Sequence, residues 1–248
     1  MNLVTKTSVL NGVQTLFRHL GLQIGFDHPI RNAPKLFAVK AAELQVVTVL
    51  DIGANKGQFA RELRRYGYRK RLVSFEPLSS AYATLCKAAK DDALWDIAPR
   101  MALGSAEGTA EINISKNLAS SSLLAVNDRS VSAAAESAFA GTEAVAVRRL
   151  DDVIEARWGR PFGLKLDTQG FELHVLQGAA AVLASTELVV VEMSLAGLYD
   201  EGARFVDLYR VLEESGFRCI SLVQGFADNV RHELLQVDGV FVREHPSE

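Results

Sequence analysis

The sequence predicts an α/β fold: one open, doubly wound, mostly parallel sheet with an antiparallel C-terminal end. Three observations point to it. From Val46 onward, short apolar β-branched runs alternate with amphipathic segments, the pattern of parallel strands joined by right-handed crossover helices. The last two apolar runs are joined by a short polar loop without helical periodicity, which predicts an antiparallel hairpin. The chain has 248 residues, 48% apolar and 23% charged, which are ordinary globular values with room for one large domain or two small ones.

Val46 to Leu50 reads as a buried strand, followed by a glycine turn and a helix over Phe59, Leu63 and Tyr66. Leu72 to Phe75 is a second strand, leading through Pro77 into a helix over Ala81 to Ala89. Ile97 to Leu103 and Ala110 to Ile114 are predicted as strands flanking the turn Gly104 to Gly108. Phe162 to Leu166 is a strand, Glu172 to Leu183 a helix, and Leu188 to Met193 a strand. Helix Phe205 to Ser215 and strands Phe217 to Val223 and Leu235 to Val242 complete the pattern. Ser115 to Thr142, rich in Ser and Ala, shows no clear strand and only weak helical character around Val131 to Phe139. So long a connection reads as a lid or substrate-facing insert, with a plain surface excursion as the alternative. The expected organisation is an N-terminal helical extension over residues 1–45, then one domain over 46–248 with an insert near 115–142.

Composition excludes several classes. The 27 basic and 30 acidic side chains leave a net charge of −3, without the basic surplus of a nucleic-acid partner. Two cysteines, Cys86 and Cys219, form no disulfide framework and point to a reduced, cytoplasmic setting. No apolar run approaches the roughly 20 residues of a membrane span. Met1 to Gly21 reads as a docking helix, with a membrane-surface anchor as the alternative. The cluster Arg61, Arg64, Arg65, Arg69, Lys70 and Arg71 reads as a solvated helix face and turn. Peripheral membrane contact through it, and a homo-oligomer, stay open.

The most informative stretch is Leu50-Asp51-Ile52-Gly53-Ala54-Asn55-Lys56-Gly57-Gln58-Phe59, between a strand and a helix. Gly53 and Gly57 permit a tight turn and close backbone approach to a ligand, and the following helix end favours an anionic group. A dinucleotide site prefers G-x-G-x-x-G; here Asn55 takes the second glycine position and the third is absent. The loop suits a carboxylate at the helix end and an ammonium near Asp51. S-adenosylmethionine has both, with a ribose diol that requires a carboxylate at the next strand end. Glu76 stands there, 25 residues beyond Asp51; its other reading is a cap for the helix after Pro77.

With Ser74-Phe75-Glu76-Pro77 and the run Lys165-Leu166-Asp167-Thr168-Gln169-Gly170-Phe171-Glu172-Leu173-His174-Val175-Leu176-Gln177-Gly178-Ala179, the sequence resembles the FkbM family of methyltransferases from about Val46 to Val242. The third motif, D-x-x-G-x-E-x-x-V-L-x-G, is the specific one, and the Ser-rich patch Asn117 to Leu123 is also similar. The resemblance implies a Rossmann-like class I sheet of seven strands. It implies S-adenosylmethionine-dependent O-methylation, often of a sugar hydroxyl on a glycolipid, polysaccharide or natural product. It places Asp51, Gly53, Asn55, Gly57, Glu76 and Pro77 at the cofactor pocket, where Ala54, Phe59 and Leu103 are also expected. Lys56 departs from the apolar residue common in the family.

Asp167 and Glu192 end adjacent strands. They are candidates to accept a proton, to orient the acceptor, or to hold a Mg2+-like cation between them. His174 is the third candidate base, although on its helix it can equally face solvent. Glu172, in the first turn of that helix, reads as a capping residue. His232 reads as an ordinary exposed histidine, and Trp95 and Trp158 as packing residues. Rival readings are a nucleotide-dependent oxidoreductase on the same sheet and a non-catalytic S-adenosylmethionine-binding protein.

Overall fold

The computed structural model describes residues 28–115, 121–124 and 139–245. The helix expected over Met1 to Gly21 lies outside them, as does most of the insert.

A 3-10 turn, Pro29–Arg31, leads into α1 (Ala33–Glu43). Asn32 caps α1 by accepting from the Lys35 N–H at 2.8 Å, with a proline in the first turn where no N–H is needed. There follow β1 (Thr48–Ile52), α2 (Gln58–Arg65), β2 (Arg71–Phe75), α3 (Ser79–Ala89), β3 (Trp95–Ile97) and β4 (Ala102–Leu103). Next come β5 (Gly108–Ser115), β6 (Phe139–Arg148), α4 (Leu150–Val153), β7 (Phe162–Leu166), α5 (Glu172–Gln177), α6 (Ala180–Leu183) and β8 (Thr186–Ser194). The chain ends with α7 (Phe205–Glu214), β9 (Phe217–Gln224), β10 (Ala227–Asp228), β11 (Glu233–Leu234) and β12 (Gln236–Arg243).

Seven strands form the main sheet in the order β3-β2-β1-β7-β8-β12-β9. The first five are parallel to one another, while β12 lies antiparallel between β8 and β9. Central strands β1 and β7 are buried along their whole length, as a sheet covered on both faces requires. One face packs α1, α2 and α3 through Phe37, Leu63 and Leu85. The other packs α5, α6 and α7 through Val175, Val182 and Leu208. Strand order reverses between β1 and β7, so a crevice opens there at the carboxyl ends of the strands.

The structure departs from the sequence-based expectation in four places. The single strand expected over Ile97 to Leu103 is split, because Pro99 lacks the N–H a ladder needs. Its first part joins the main sheet as β3, while β4 belongs to a separate three-stranded sheet, β4-β6-β5. The expected strand Ala110 to Ile114 is in that small sheet, paired with β6, a strand that begins inside the segment read as strandless. The helix expected over Glu172 to Leu183 is interrupted between α5 and α6 at Gly178. A Cβ there would lie 2.0 Å from the Gly104 carbonyl oxygen. Finally, the loop joining the last strands contains the small hairpin β10-β11.

Helix α1 is built into this core rather than appended to it. Phe37 is fully buried, and its ring stands where a Cβ on Gly163 of β7 would come within 2.7 Å. Phe37→Ala is therefore expected to cost about 3–5 kcal/mol of unfolding free energy in urea. A loss below about 1 kcal/mol would show that residues 33–45 form a detachable extension.

Candidate functional site

A cavity of about 400 Å³ opens at the crevice. Its lining includes Gly53, Asn55, Glu76 and Leu103 and, with Asp167 directly beside Gly53, the polar set Asp167, Gln169, Glu192 and Asp238. Ser122 and Leu123, from the described part of the insert, form part of its wall.

The loop after β1 supplies Gly53, Ala54 and Asn55 to the lining. The N–H groups of Gly53 and Ala54 donate to the Phe75 carbonyl at 3.1 and 3.0 Å, which ties the loop to the end of β2. Glu76 is buried, with 4% of its surface exposed. Its Oε2 accepts from the Asn55 N–H at 2.7 Å and its Oε1 from the Leu78 N–H at 2.9 Å. A carboxylate has about four lone-pair sites, so capacity for two further hydrogen bonds remains. Glu76 thus anchors the chain entering α3, although that helix has no side-chain cap, and it lines the cavity. Burial pushes its carboxyl up to about 7; the two backbone N–H groups and Lys165 oppose this shift. The buried Oδ1 of Asn55 has no hydrogen-bond partner among the described residues, an acceptor available to a ligand donor.

Other expected cofactor residues are placed differently. Ala54, Phe59 and Pro77 line the cavity; Asp51 and Gly57 do not. Gly57 turns at φ +81° and packs on Trp95, whose ring would come within 2.6 Å of a Cβ. Asp51 is completely buried below the loop, accepting from the Ser74 hydroxyl at 3.1 Å. Its Oδ1 lies 3.5 Å from Lys165 Nζ. In register, Ser74, Asp51 and Lys165 form one row across β2, β1 and β7. The cation nearest Asp51 is therefore a lysine of the chain itself.

Lys165 was not singled out from the sequence. It lies two residues before Asp167, hence on the same side of the strand. Its Nζ donates to the Gly53 carbonyl at 2.7 Å and sits 3.4 Å from Asp167 Oδ2. Burial works against its charge, but Asp167 and Asp51 outweigh burial and hold its pKa above the usual lysine value.

The turn after β7 is held by Glu172. Its Oε1 accepts from the N–H groups of Thr168 and Gly170 at 2.7 and 3.2 Å; both precede α5, so Glu172 ties the turn rather than capping the helix, which has no side-chain cap. Gln169 takes a left-handed backbone, φ +57°, which aims its amide between the two expected carboxylates. Nε2 donates to Asp167 Oδ1 at 2.7 Å and to Glu192 Oε2 at 2.8 Å. Its Oε1 accepts from the Tyr199 hydroxyl, and its carbonyl accepts from the Ser122 hydroxyl at 2.7 Å. Gln236 Nε2 donates to the same Glu192 Oε2 at 2.7 Å. Asp238 stands opposite Glu192 in the β8–β12 register. Burial, then Asp167, push its carboxyl up to about 6, against Lys165.

These contacts lend the cation expectation no support. The space between Asp167 and Glu192 holds an N–H₂ donor pointing at both carboxylates, where a hard cation needs oxygen ligands. Among the described residues no group of three or more His, Cys, Asp or Glu is arranged to hold a metal ion. His174 is also apart from the cavity lining; its ring packs behind Phe171, with centroids 4.3 Å apart. His232 is exposed. Arg64 and Arg71 of the basic cluster are tied to Asp92 and Asp96, leaving Arg61, Arg65, Arg69 and Lys70 at the surface.

Among solved structures, an S-adenosylmethionine-dependent methyltransferase from Clostridium acetobutylicum is similar at TM-score 0.48 and 9% identity, covering 98% of this chain and 100% of that one. The 1,6-didemethyltoxoflavin-N1-methyltransferase of Burkholderia thailandensis, with S-adenosylhomocysteine bound, is similar at TM-score 0.46 and 10% identity, covering 99% and 92%. An rRNA methylase from Streptococcus thermophilus is similar at TM-score 0.48 and 11% identity, covering 90% and 100%. No curated protein sequence matches the chain. The methyltransferase FkbM domain matches residues 51–219, more than half of the chain. The chain belongs to the FkbM methyltransferase family.

Proposed function

We propose that the protein is an S-adenosylmethionine-dependent O-methyltransferase acting on a sugar hydroxyl of a glycolipid, polysaccharide or glycosylated natural product. The observation that supports it best is Glu76. It is a buried carboxylate at the end of β2 with two lone-pair sites to spare, in the same cavity as Asp167, Glu192 and Asp238. The residues of the β1 loop and the β2 end fit the cofactor. Glu76 would accept from the ribose diol, and Asn55 Oδ1, without a partner among the described residues, would take a donor. The cavity volume is that of a small-molecule site.

When bound, the cofactor supplies an already activated methyl group on a sulfonium. The chain's task is then alignment, exclusion of water and removal of one proton. The β1 loop and Glu76 would hold one reactant. Asp167, Glu192 and Asp238 line the same cavity and would offer carboxylate oxygens to a polyhydroxylated partner and to its proton. We assign the protein to the cytoplasm from its unpaired Cys86 and Cys219. Among the described residues no helix is long and apolar enough to cross a membrane.

Incubation with methyl-labelled S-adenosylmethionine and a panel of rhamnosyl, fucosyl and other glycans tests the reading. Label is expected in an ether linkage on one glycan class, to the same extent with and without EDTA. Transfer only to nitrogen-bearing acceptors would overturn the sugar-hydroxyl assignment, and abolition by EDTA would overturn the metal-free site.

A further inference from the structure

We infer that Glu192 is the general base of the transfer and that Gln169 is the positioning residue that aims it. This rests on the methyl-transfer reading and goes beyond it, because the two strand-end carboxylates are not equivalent. Asp167 has both oxygens engaged: Oδ1 accepts from Gln169 Nε2 at 2.7 Å, and Oδ2 lies 3.4 Å from Lys165 Nζ. Glu192 is held through one oxygen only. Its Oε2 accepts from Gln169 and Gln236 at 2.8 and 2.7 Å, and no described residue donates to Oε1. Two amide donors on one oxygen fix the rotation of the carboxyl and leave Oε1 to the cavity that Glu192 lines.

The direction of the Gln169 amide follows from its surroundings. Two carboxylates on one side require the N–H₂ group there, and the Tyr199 hydroxyl supplies the donor that Oε1 needs on the other. The amide does by hydrogen bonding what a divalent cation does elsewhere: it holds two like-charged groups at a fixed separation.

The groups facing Glu192 come from every element around it: Asp167 and Lys165 from β7, Glu172 from α5, Asp238 from β12 and Tyr199 from the loop after β8. Burial first, then the charges of Asp167, Glu172 and Asp238, keep its carboxyl above the ordinary glutamate value, against Lys165. A base with a raised pKa has more driving force for accepting a proton near neutral pH. In the step, Glu192 Oε1 takes the hydroxyl proton while the acceptor oxygen bonds the methyl carbon. The carbon–sulfur electron pair leaves with sulfur, giving the methyl ether, S-adenosylhomocysteine and a neutral Glu192 carboxyl.

The test combines two readouts. In carbon-13 NMR of glutamate-labelled apo protein, the high-midpoint carboxyl absent from Glu192→Gln identifies Glu192. Gln169→Leu and Gln169→Asn should each move that midpoint up by about one pH unit, because the anion loses a donor. Asn tolerates the left-handed backbone but is one methylene too short to bridge, so it separates the bridge from the turn. Both variants should bind S-adenosylhomocysteine within threefold of wild type. On the methylated glycan, Glu192→Gln should lose about 10²-fold or more in kcat with little change in KM, and with it the acid limb of the pH profile. Gln169→Leu should shift that limb to higher pH.

An unmoved Glu192 midpoint in both Gln169 variants would overturn the positioning role. Loss of the acid limb in Asp167→Asn, with its retention in Glu192→Gln, would overturn the base assignment. If no glycan is methylated, the proposed function fails, and the base assignment with it. The NMR titration needs neither cofactor nor acceptor and still decides the role of Gln169.

Discussion

Glu76→Ala is expected to weaken S-adenosylmethionine binding by at least about 10²-fold. Two hydrogen bonds to a charged carboxylate contribute roughly 1.5–3 kcal/mol each, and about 1.4 kcal/mol is a factor of ten. Calorimetric titration reads this directly, and a loss below tenfold would remove Glu76 from the ribose. The same residue sets a pH dependence. Burial raises its carboxyl from 4.5 to about 7 in the free protein, whereas ribose hydroxyls held there would donate to the ionised form. Affinity should therefore weaken as pH falls below 7, by up to about tenfold per pH unit, with proton release on binding. The stability contribution has the opposite slope. A folded value above the ordinary one favours the protonated fold, so this contribution is full below pH 4.5 and is lost as pH rises through about 7. Ligand affinity and apo stability thus move in opposite directions across one pH window. A merely structural carboxylate would not produce that pairing.

Gly53→Ala should be the most damaging single-methyl change in the site. Gly53 has φ +72°, and a Cβ there would lie 1.8 Å from the Asp167 carbonyl oxygen and 2.8 Å from its carbon. Both obstacles are backbone, so no rotamer change relieves them. The left-handed conformation alone costs alanine about 1 kcal/mol or more. Displacement of the Asp167 segment brings the expected total above about 3 kcal/mol in urea unfolding. Because Asp167 N–H donates to the Ile52 carbonyl at 3.1 Å, that displacement also breaks the link between β1 and β7 at the crevice. Methyl transfer should fall even under conditions where the variant remains folded. A folded variant with unchanged turnover would show that the turn's geometry is irrelevant to the chemistry.

The sequence made the sheet legible because its strands are buried runs separated by helical periodicity, and the β1 loop because its glycines lie between a strand and a helix. The small sheet was less legible. β6 reaches its partner β5 across the insert, and its alternation at Val145 and Val147 is short and diluted by alanine. The break between α5 and α6 depends on Gly104, far away in the chain. At the site, Glu76, Asp167 and Glu192 could be found as acids at strand ends. Asp51 was less transparent: register with Lys165, invisible without the β1–β7 pairing, places a lysine beside it. Gln169 and Gln236 carry no charge and belong to no motif of acids or bases, yet they orient Glu192. Their role follows from a left-handed turn and from a strand inserted between two others, neither of which periodicity reveals.

The most direct test of the central claim is titration of the full-length protein with S-adenosylmethionine at pH 8, beside Glu76→Ala and beside NAD. The cavity and Glu76 predict saturable one-to-one binding to the wild type, at least about 10²-fold weaker binding to the variant, and no heat with NAD. Absence of binding to the wild type, or equal binding to the variant, would contradict the assignment of this crevice as the cofactor site.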